Sequence, residues 1–186
     1  MLIANPIYSK NMKISFKILR KNEVELTEDF LIVSNIAAEL EEFLNQDQTQ
    51  KQIDETHKLH AKSGEIQKIL IEKAHELGFQ SEKNGLFKNY KRTSLRPDYY
   101  KPLNSLNGII MEVERGKTTI NNMDMLDVWK CHICENANYL FLIIPKIRQN
   151  NKGGSSPTFN TVVKRLESFF IKKNYLNIDA IFIFGY

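Results

Sequence analysis

The sequence has little of what marks secreted, fibrous or membrane-spanning proteins. Its 186 residues include two cysteines, Cys131 and Cys134, which are too few for a disulfide framework and suit a reducing cytosol. Eight glycines and five prolines are far fewer than a collagen-like or low-complexity chain contains. The longest apolar run, 139–145, is much shorter than the roughly 20 residues of a membrane-spanning helix. No cationic leader with an apolar core opens the chain, so we expect no secretory signal and a cytoplasmic location.

The composition that is left is that of a globular domain. Hydrophobic residues make up 42% of the chain and charged residues 26%, which gives enough apolar material for a buried core. The length corresponds to about one domain with a small appendage. The formal net charge of +4 permits a nucleic-acid partner but does not require one.

Hydrophobic periodicity divides the chain into two parts. Residues 1–62 are predicted to form an N-terminal extension, with an alternating strand within 12–20 and an amphipathic helix capped by Thr27. Residues 63–186 are predicted to form the core, in the order α-β-β-β-α-β followed by a further helix and strand. This order predicts an α/β fold with a mixed central sheet flanked by helices. The five predicted core strands are 85–92, 96–100, 108–115, 139–144 and 180–184.

Three carboxylates stand out around the predicted strand 108–115. Glu112 and Glu114 are two residues apart, so both side chains project from the same face of that strand. Carboxylates this close repel each other, and a hard divalent cation such as Mg²⁺ is the usual remedy. Asp98, on a neighbouring short strand, is placed to supply a third oxygen ligand. The alternative is a solvated strand end whose acids pair with Arg115 or Lys117.

The order and spacing of these acids resemble a known family of nucleases. The segment R-P-D-Y-Y contains Asp98, and G-I-I-M-E-V-E-R-G-K places Glu112 14 residues later. Together they resemble the PD-(D/E)xK nuclease superfamily, and especially restriction endonucleases whose last motif position is Glu rather than Lys. The upstream segment S-G-E-I-Q-K-I-L-I-E-K-A-H-E-L-G-F is similar to the first core helix of that superfamily. The resemblance covers residues 63–144, and it implies a restriction endonuclease-like core.

The resemblance implies a role for each matching residue. Asp98 and Glu112 would be the principal ligands of Mg²⁺, or of Mn²⁺ in its place. Glu65 would be the helix glutamate that supports the metal, although a good acid in a first helical turn explains it equally. Glu114 stands where most members have the lysine that orients the attacking water and helps to deprotonate it. A carboxylate there can accept the proton of the water or hold a second metal.

The missing lysine directs attention to Lys130, on the helix predicted after the Glu-x-Glu strand. Lys130 falls between Leu126 and Ile133 on the stripe that we expect to face inward. A buried lysine needs a partner, and the carboxylates of the preceding strand are the nearest anionic groups. Lys130 would then stabilise the charge that develops during catalysis. The alternatives are a local pair with Asp127, a stem that reaches solvent, or Lys117 in the same role.

Basic residues alternate with tyrosines on both sides of Asp98. Lys91, Arg92 and Arg96 are the residues that we expect to contact phosphates, unless they belong to an ordinary solvated hairpin. The sequence therefore predicts a metal-dependent endodeoxyribonuclease of restriction type, with DNA as partner and a homodimer suited to two-fold targets. The alternatives are a repair- or junction-type nuclease and a non-catalytic DNA- or protein-binding module on the same scaffold.

Overall fold

The computed structural model describes residues 13–57, 63–81, 86–87, 89–90, 95–116, 118–149 and 154–186. The described part contains helices, a six-stranded sheet and a small two-stranded sheet. The strands are β1 Ser15–Arg20, β2 Gln80–Ser81, β3 Tyr99–Pro102, β4 Gly108–Val113, β5 Tyr139–Ile144, β6 Arg148–Gln149, β7 Ser155–Ser156 and β8 Ala180–Gly185. The α-helices are α1 Glu28–Asn45, α2 Asp47–Thr56, α3 Ser63–Glu76, α4 Met123–Ile133 and α5 Thr158–Leu166.

The large sheet is mixed, with strand order β1-β8-β5-β4-β3-β2. Its three central strands, β4, β5 and β8, are parallel, whereas β1, β3 and β2 are antiparallel to their neighbours. Every residue of the central strands is buried, as expected for parallel strands that are covered on both faces. Strands β6 and β7 form a separate two-stranded ribbon.

The sheet separates two hydrophobic cores. Helices α1, α2 and α3 pack on one face, and α4 and α5 pack on the other. Because side chains alternate along a strand, Ile109, Met111 and Val113 of β4 enter the first core and Ile110 enters the second. Glu112 continues the row of Ile110, and it therefore points at the face that α4 covers.

The structure confirms the predicted α/β architecture with a mixed central sheet flanked by helices. The Thr27 side chain caps α1 as predicted, because its hydroxyl accepts a hydrogen bond from the Phe30 amide at 3.2 Å. The strand and helices of the predicted N-terminal extension share the sheet and the first core with the rest of the chain. None of the described helices is both long and apolar enough to cross a membrane.

The prediction of a strand over 85–92 is wrong for the residues there that the structure describes. Leu86, Phe87 and Asn89 lie in turns, and the first strand after α3 is instead Gln80–Ser81. Phe87 is nonetheless fully buried in the core beneath α4 and α5. Phe87 is therefore apolar because this turn packs against the core, and not because it belongs to a strand.

Candidate functional site

Asp98 and Glu112 lie opposite each other where β3 and β4 meet. The antiparallel pairing of Tyr99 with Met111 places Asp98 across from Glu112, immediately before β3 begins. Asp98 Oδ2 accepts a hydrogen bond from the Val113 amide at 2.8 Å, and the Asp98 amide donates to Glu112 Oε2 at 3.3 Å. Pro97 has no amide hydrogen, so the backbone ladder does not continue beyond this point. The Asp98 side chain takes the place of the ladder and fixes the two carboxylates side by side.

Lys130 reaches this pair from α4. Its Nζ contacts Glu112 Oε1 in a short ion pair, and it lies 2.9 Å from Asp127 Oδ1. The side chains of Lys130, Glu112 and Asp127 are 8%, 5% and 1% exposed, so the network is almost completely removed from water. The contact that the sequence predicted between Lys130 and the carboxylates of the preceding strand is therefore present. The local pair with Asp127, considered as an alternative, is present as well.

The predicted inward stripe of α4 is confirmed for Lys130 but is wrong for Leu126. Leu126 is 36% exposed, and Ile133 is only partly buried. The residues that face the sheet are instead Asp124, Asp127, Val128, Lys130 and Cys131. The two acids on this face are tolerated because cations compensate their charges. Lys130 pairs with Asp127, and Arg165 lies 3.4 Å from Asp124.

Glu114 follows directly after β4. Its amide donates to the Ile143 carbonyl at 2.8 Å, which extends the pairing with β5 by one residue. Its own carbonyl accepts a hydrogen bond from the Tyr186 hydroxyl at 2.9 Å. These two bonds hold the backbone of Glu114 in place, and its carboxyl group is half-buried beside the network.

Within the described ranges, the site combines four carboxyl groups, those of Asp98, Glu112, Glu114 and Asp127, with the ammonium group of Lys130. Burial raises the pKa of Asp98, Glu112, Glu114 and Asp127 above their ordinary values. Repulsion from the charge of Asp127 adds to the rise in both glutamates, and the pKa of Glu114 reaches about 7. Burial alone would lower the pKa of Lys130, but attraction to Glu112 and Asp127 outweighs it and holds the pKa above its ordinary value. Burial thus favours the protonated forms of these carboxyl groups.

The donors of this site are of the kind that the divalent cation predicted from the sequence requires. Carboxylate oxygens are the ligands that Mg²⁺ and Mn²⁺ prefer, and apart from the contact with Lys130 the buried oxygens of Asp127 have no hydrogen-bond partner in the described part of the chain. The donor set, by its chemistry, fits such an ion. The expected convergence of Asp98, Glu112 and Glu114 on one cation-sized gap is not found, since no three acidic, imidazole or thiol groups in the described ranges form a ready ligand set. The ammonium of Lys130 contacts one Glu112 oxygen instead.

Comparison with known proteins adds no identity to this geometry. No family model matches the chain, and no curated protein matches it. Any assignment of function therefore depends on the site itself and on the residues around it.

The structure places Glu65 away from the other predicted ligands. Its carboxylate pairs with Lys68 at 2.9 Å and lines a surface groove between α2 and α3. Gln67 is the residue of α3 that reaches the site, where its side chain hydrogen-bonds Asp98 and its carbonyl accepts from the Tyr99 hydroxyl at 3.4 Å. The metal role that the sequence assigned to Glu65 thus has no support in the geometry.

The residues predicted to contact phosphates are only partly described. Arg96 is exposed, two residues before Asp98, and Pro97 between them is buried. Lys91, Arg92 and Lys117 lie outside the described residues. Arg96 therefore provides an exposed cation on the chain segment that leads into β3.

Asp127 and Gln67 are site residues that the sequence reasoning did not select. A signal for Asp127 was present, because Asp124, Asp127 and Lys130 recur every three residues and so share one side of a helix. No comparable signal marks Gln67, which is one of several polar residues on α3.

Replacement of Glu114 by Gln should stabilise the fold in a pH-dependent manner. The pKa of Glu114 is about 7 in the folded protein and near 4.5 in a solvated chain. Ionisation of the folded form is therefore unfavourable, and the penalty grows as pH rises from about 4.5 to 7 and is constant above. We expect Glu114→Gln to gain about 2 kcal/mol more stability at pH 8 than at pH 5, as measured by urea unfolding. Glu42→Gln, at an exposed position of α1, is the matched control and should show no such gain. An equal effect of Glu114→Gln at both pH values would contradict the raised pKa.

Proposed function

We propose that the protein is a metal-dependent endonuclease of the PD-(D/E)xK type that hydrolyses DNA phosphodiester bonds, with restriction-type cleavage. One observation carries the proposal. Asp98 and Glu112 are held side by side, at the start of β3 and near the end of the adjacent strand β4. The buried ammonium of Lys130 contacts Glu112. Two metal-binding carboxylates and a lysine are the groups that phosphodiester hydrolysis in this superfamily requires, and here they come from β4, the segment before β3, and α4.

Asp98 and Glu112 would hold the metal ion, which would offset the repulsion between closely spaced ionised carboxyl groups. Mg²⁺ bound there would act as a Lewis acid toward the phosphate and lower the pKa of a bound water. The residues of the chain have complementary roles. Glu114, with a pKa of about 7, is suited to accept the proton of the attacking water near neutral pH. Lys130 stays charged and is placed to stabilise negative charge that develops on the phosphate.

The excess of carboxylates separates this proposal from a purely structural ion-pair network. A structural network is most stable when its buried charges balance, because each uncompensated charge carries a desolvation cost. Here Asp98 and Glu114 add two carboxyl groups beside Glu112 and Asp127, which share the ammonium of Lys130. A site that pays such a cost is expected to bind a cation.

The proposed partner is DNA, and Arg96 is the described residue that we expect to contact its backbone. A repair- or junction-type nuclease would use the same groups and would differ in the DNA structure that it cuts. A non-catalytic binding module would keep the basic surface but would not need the carboxylates. The homodimer and the cytoplasmic location stay predictions from the sequence.

The central test is metal-dependent cleavage of DNA. Long bacteriophage DNA is a suitable substrate because it contains many different short sequences, any of which could be a target. We expect cleavage with Mg²⁺ or Mn²⁺ and none in excess chelator. Asp98→Asn and Glu112→Gln should each reduce the cleavage rate by about 10²–10³-fold, since each removes a charged metal ligand without a large change in shape.

Glu65→Gln is the matched control for these two variants. It also neutralises a carboxylate, but one that pairs with Lys68 at the surface, so it should cut at close to the wild-type rate. Full cleavage by Asp98→Asn and Glu112→Gln, or cleavage that persists in chelator, would contradict the proposed chemistry. DNA binding without cleavage on every substrate would favour the non-catalytic module.

Replacement of Arg96 by Ala should weaken DNA binding equally for all sequences. A contact to phosphate carries no base preference, and its loss should reduce the slope of log affinity against log salt by about one. Fluorescence anisotropy with two unrelated duplexes over a range of salt concentrations measures both quantities. Lys172→Ala, which removes an exposed cation from the turn after α5, should leave the slope unchanged. Equal salt slopes for wild type and Arg96→Ala would show that DNA does not contact the protein at Arg96.

A further inference from the structure

The ammonium of Lys130 is shared by two carboxylates from different elements. Glu112 lies on β4, whereas Asp127 lies on α4, one helical turn before Lys130 itself. The contact with Glu112 is a short hydrogen-bonded ion pair, and Asp127 Oδ1 is 2.9 Å away. All three side chains are at least nine-tenths buried. Lys130 therefore has one partner that the proposed metal would also use and one that it would not.

Binding of a cation by Glu112 would weaken the ion pair between Glu112 and Lys130. A positive ion on the Glu112 carboxylate competes with the ammonium for the same oxygen atoms and repels it. A lysine that loses its only anionic partner inside a protein carries a large desolvation cost. This cost would oppose metal binding, unless a second carboxylate already stands beside the ammonium. Asp127 is such a carboxylate, since its Oδ1 lies 2.9 Å from the ammonium of Lys130.

We propose that Asp127 is a positioning residue, which keeps the ammonium of Lys130 paired and in place while Glu112 binds the metal ion. The inference rests on the proposed function, since it assumes that Glu112 is a metal ligand. Its role is distinct from that of a ligand, because it acts on the metal only through Lys130. It explains why α4 buries an acid one turn before its buried lysine.

The test is a double-mutant cycle read by Mn²⁺ affinity, measured by isothermal titration calorimetry at one pH without DNA. We expect Asp127→Asn to weaken Mn²⁺ binding about tenfold, as loss of a group that supports a ligand typically does. In a Lys130→Met background no ammonium can be stranded, so Asp127→Asn should then change the affinity less than twofold or so. Asp127→Glu keeps the carboxylate and should restore part of the affinity.

Asp124→Asn is the control for charge alone. Asp124 is buried on the same helix and pairs with Arg165, so its neutralisation removes a nearby negative charge but leaves the partners of Lys130 intact. We expect a smaller loss of affinity than for Asp127→Asn. Equal losses for the two variants would show a field effect and overturn the proposal.

The remaining outcomes also decide the matter. An equal loss from Asp127→Asn with and without Lys130 would make Asp127 a ligand in its own right and overturn the positioning role. Wild-type protein that binds no Mn²⁺ would overturn the proposed function, and this inference with it. Fluorescence of Trp129, the single tryptophan, and circular dichroism report whether each variant is folded. If Lys130→Met does not fold, the proposal depends on the order of Mn²⁺ affinities. It is supported if Asp127→Asn binds Mn²⁺ most weakly, Asp127→Glu more tightly and Asp124→Asn most tightly of the three, and any other order overturns it.

Discussion

The buried ion pair between Glu112 and Lys130 is the interaction on which the site depends. It joins β4, in the centre of the sheet, to α4, which covers one face of that sheet. Neither group would be stable alone in this position, because an unpaired buried charge costs several kcal/mol. The pair therefore fixes where α4 lies and how it is rotated. It also brings Asp127 against the strand end at which Asp98 is already held by the Val113 amide.

The balance of charge around this pair connects the fold with the proposed chemistry. The sheet ends place Asp98, Glu112 and Glu114 near one another, and α4 adds Asp127. Burial raises the pKa of each of these four carboxyl groups, and repulsion from neighbouring acids adds to the rise in Glu112, Glu114 and Asp127. A protein retains such an unfavourable arrangement when it serves a function, and a divalent cation would relieve it. Stability and activity are thus expected to oppose each other at Glu114.

Much of the fold could be predicted from the sequence because apolar runs and periodicity mark the central strands, and the Thr27 cap marks the start of α1. The prediction also brought Lys130 to the carboxylates, although by a stripe that included the exposed Leu126. The hydrophobic pattern does not predict which face of α4 is buried, because that face contains ion pairs. A hydrophobicity scale treats each charged residue singly and takes no account of its partner. The sequence also pointed to Glu65 of α3, whereas Gln67 is the residue that reaches the site. The rotation of α3 that decides this is set by its packing in the first core, which the sequence of the helix alone does not show.

The most direct measurement is an anomalous difference map from a crystal of the protein grown or soaked with Mn²⁺. The proposal expects a peak about 2.1 Å from carboxylate oxygens of both Asp98 and Glu112. It also expects the ammonium of Lys130 to be still in contact with Asp127. A map with no peak between Asp98 and Glu112 at a saturating concentration of Mn²⁺, with Lys130 still bound to Glu112, would contradict the central claim.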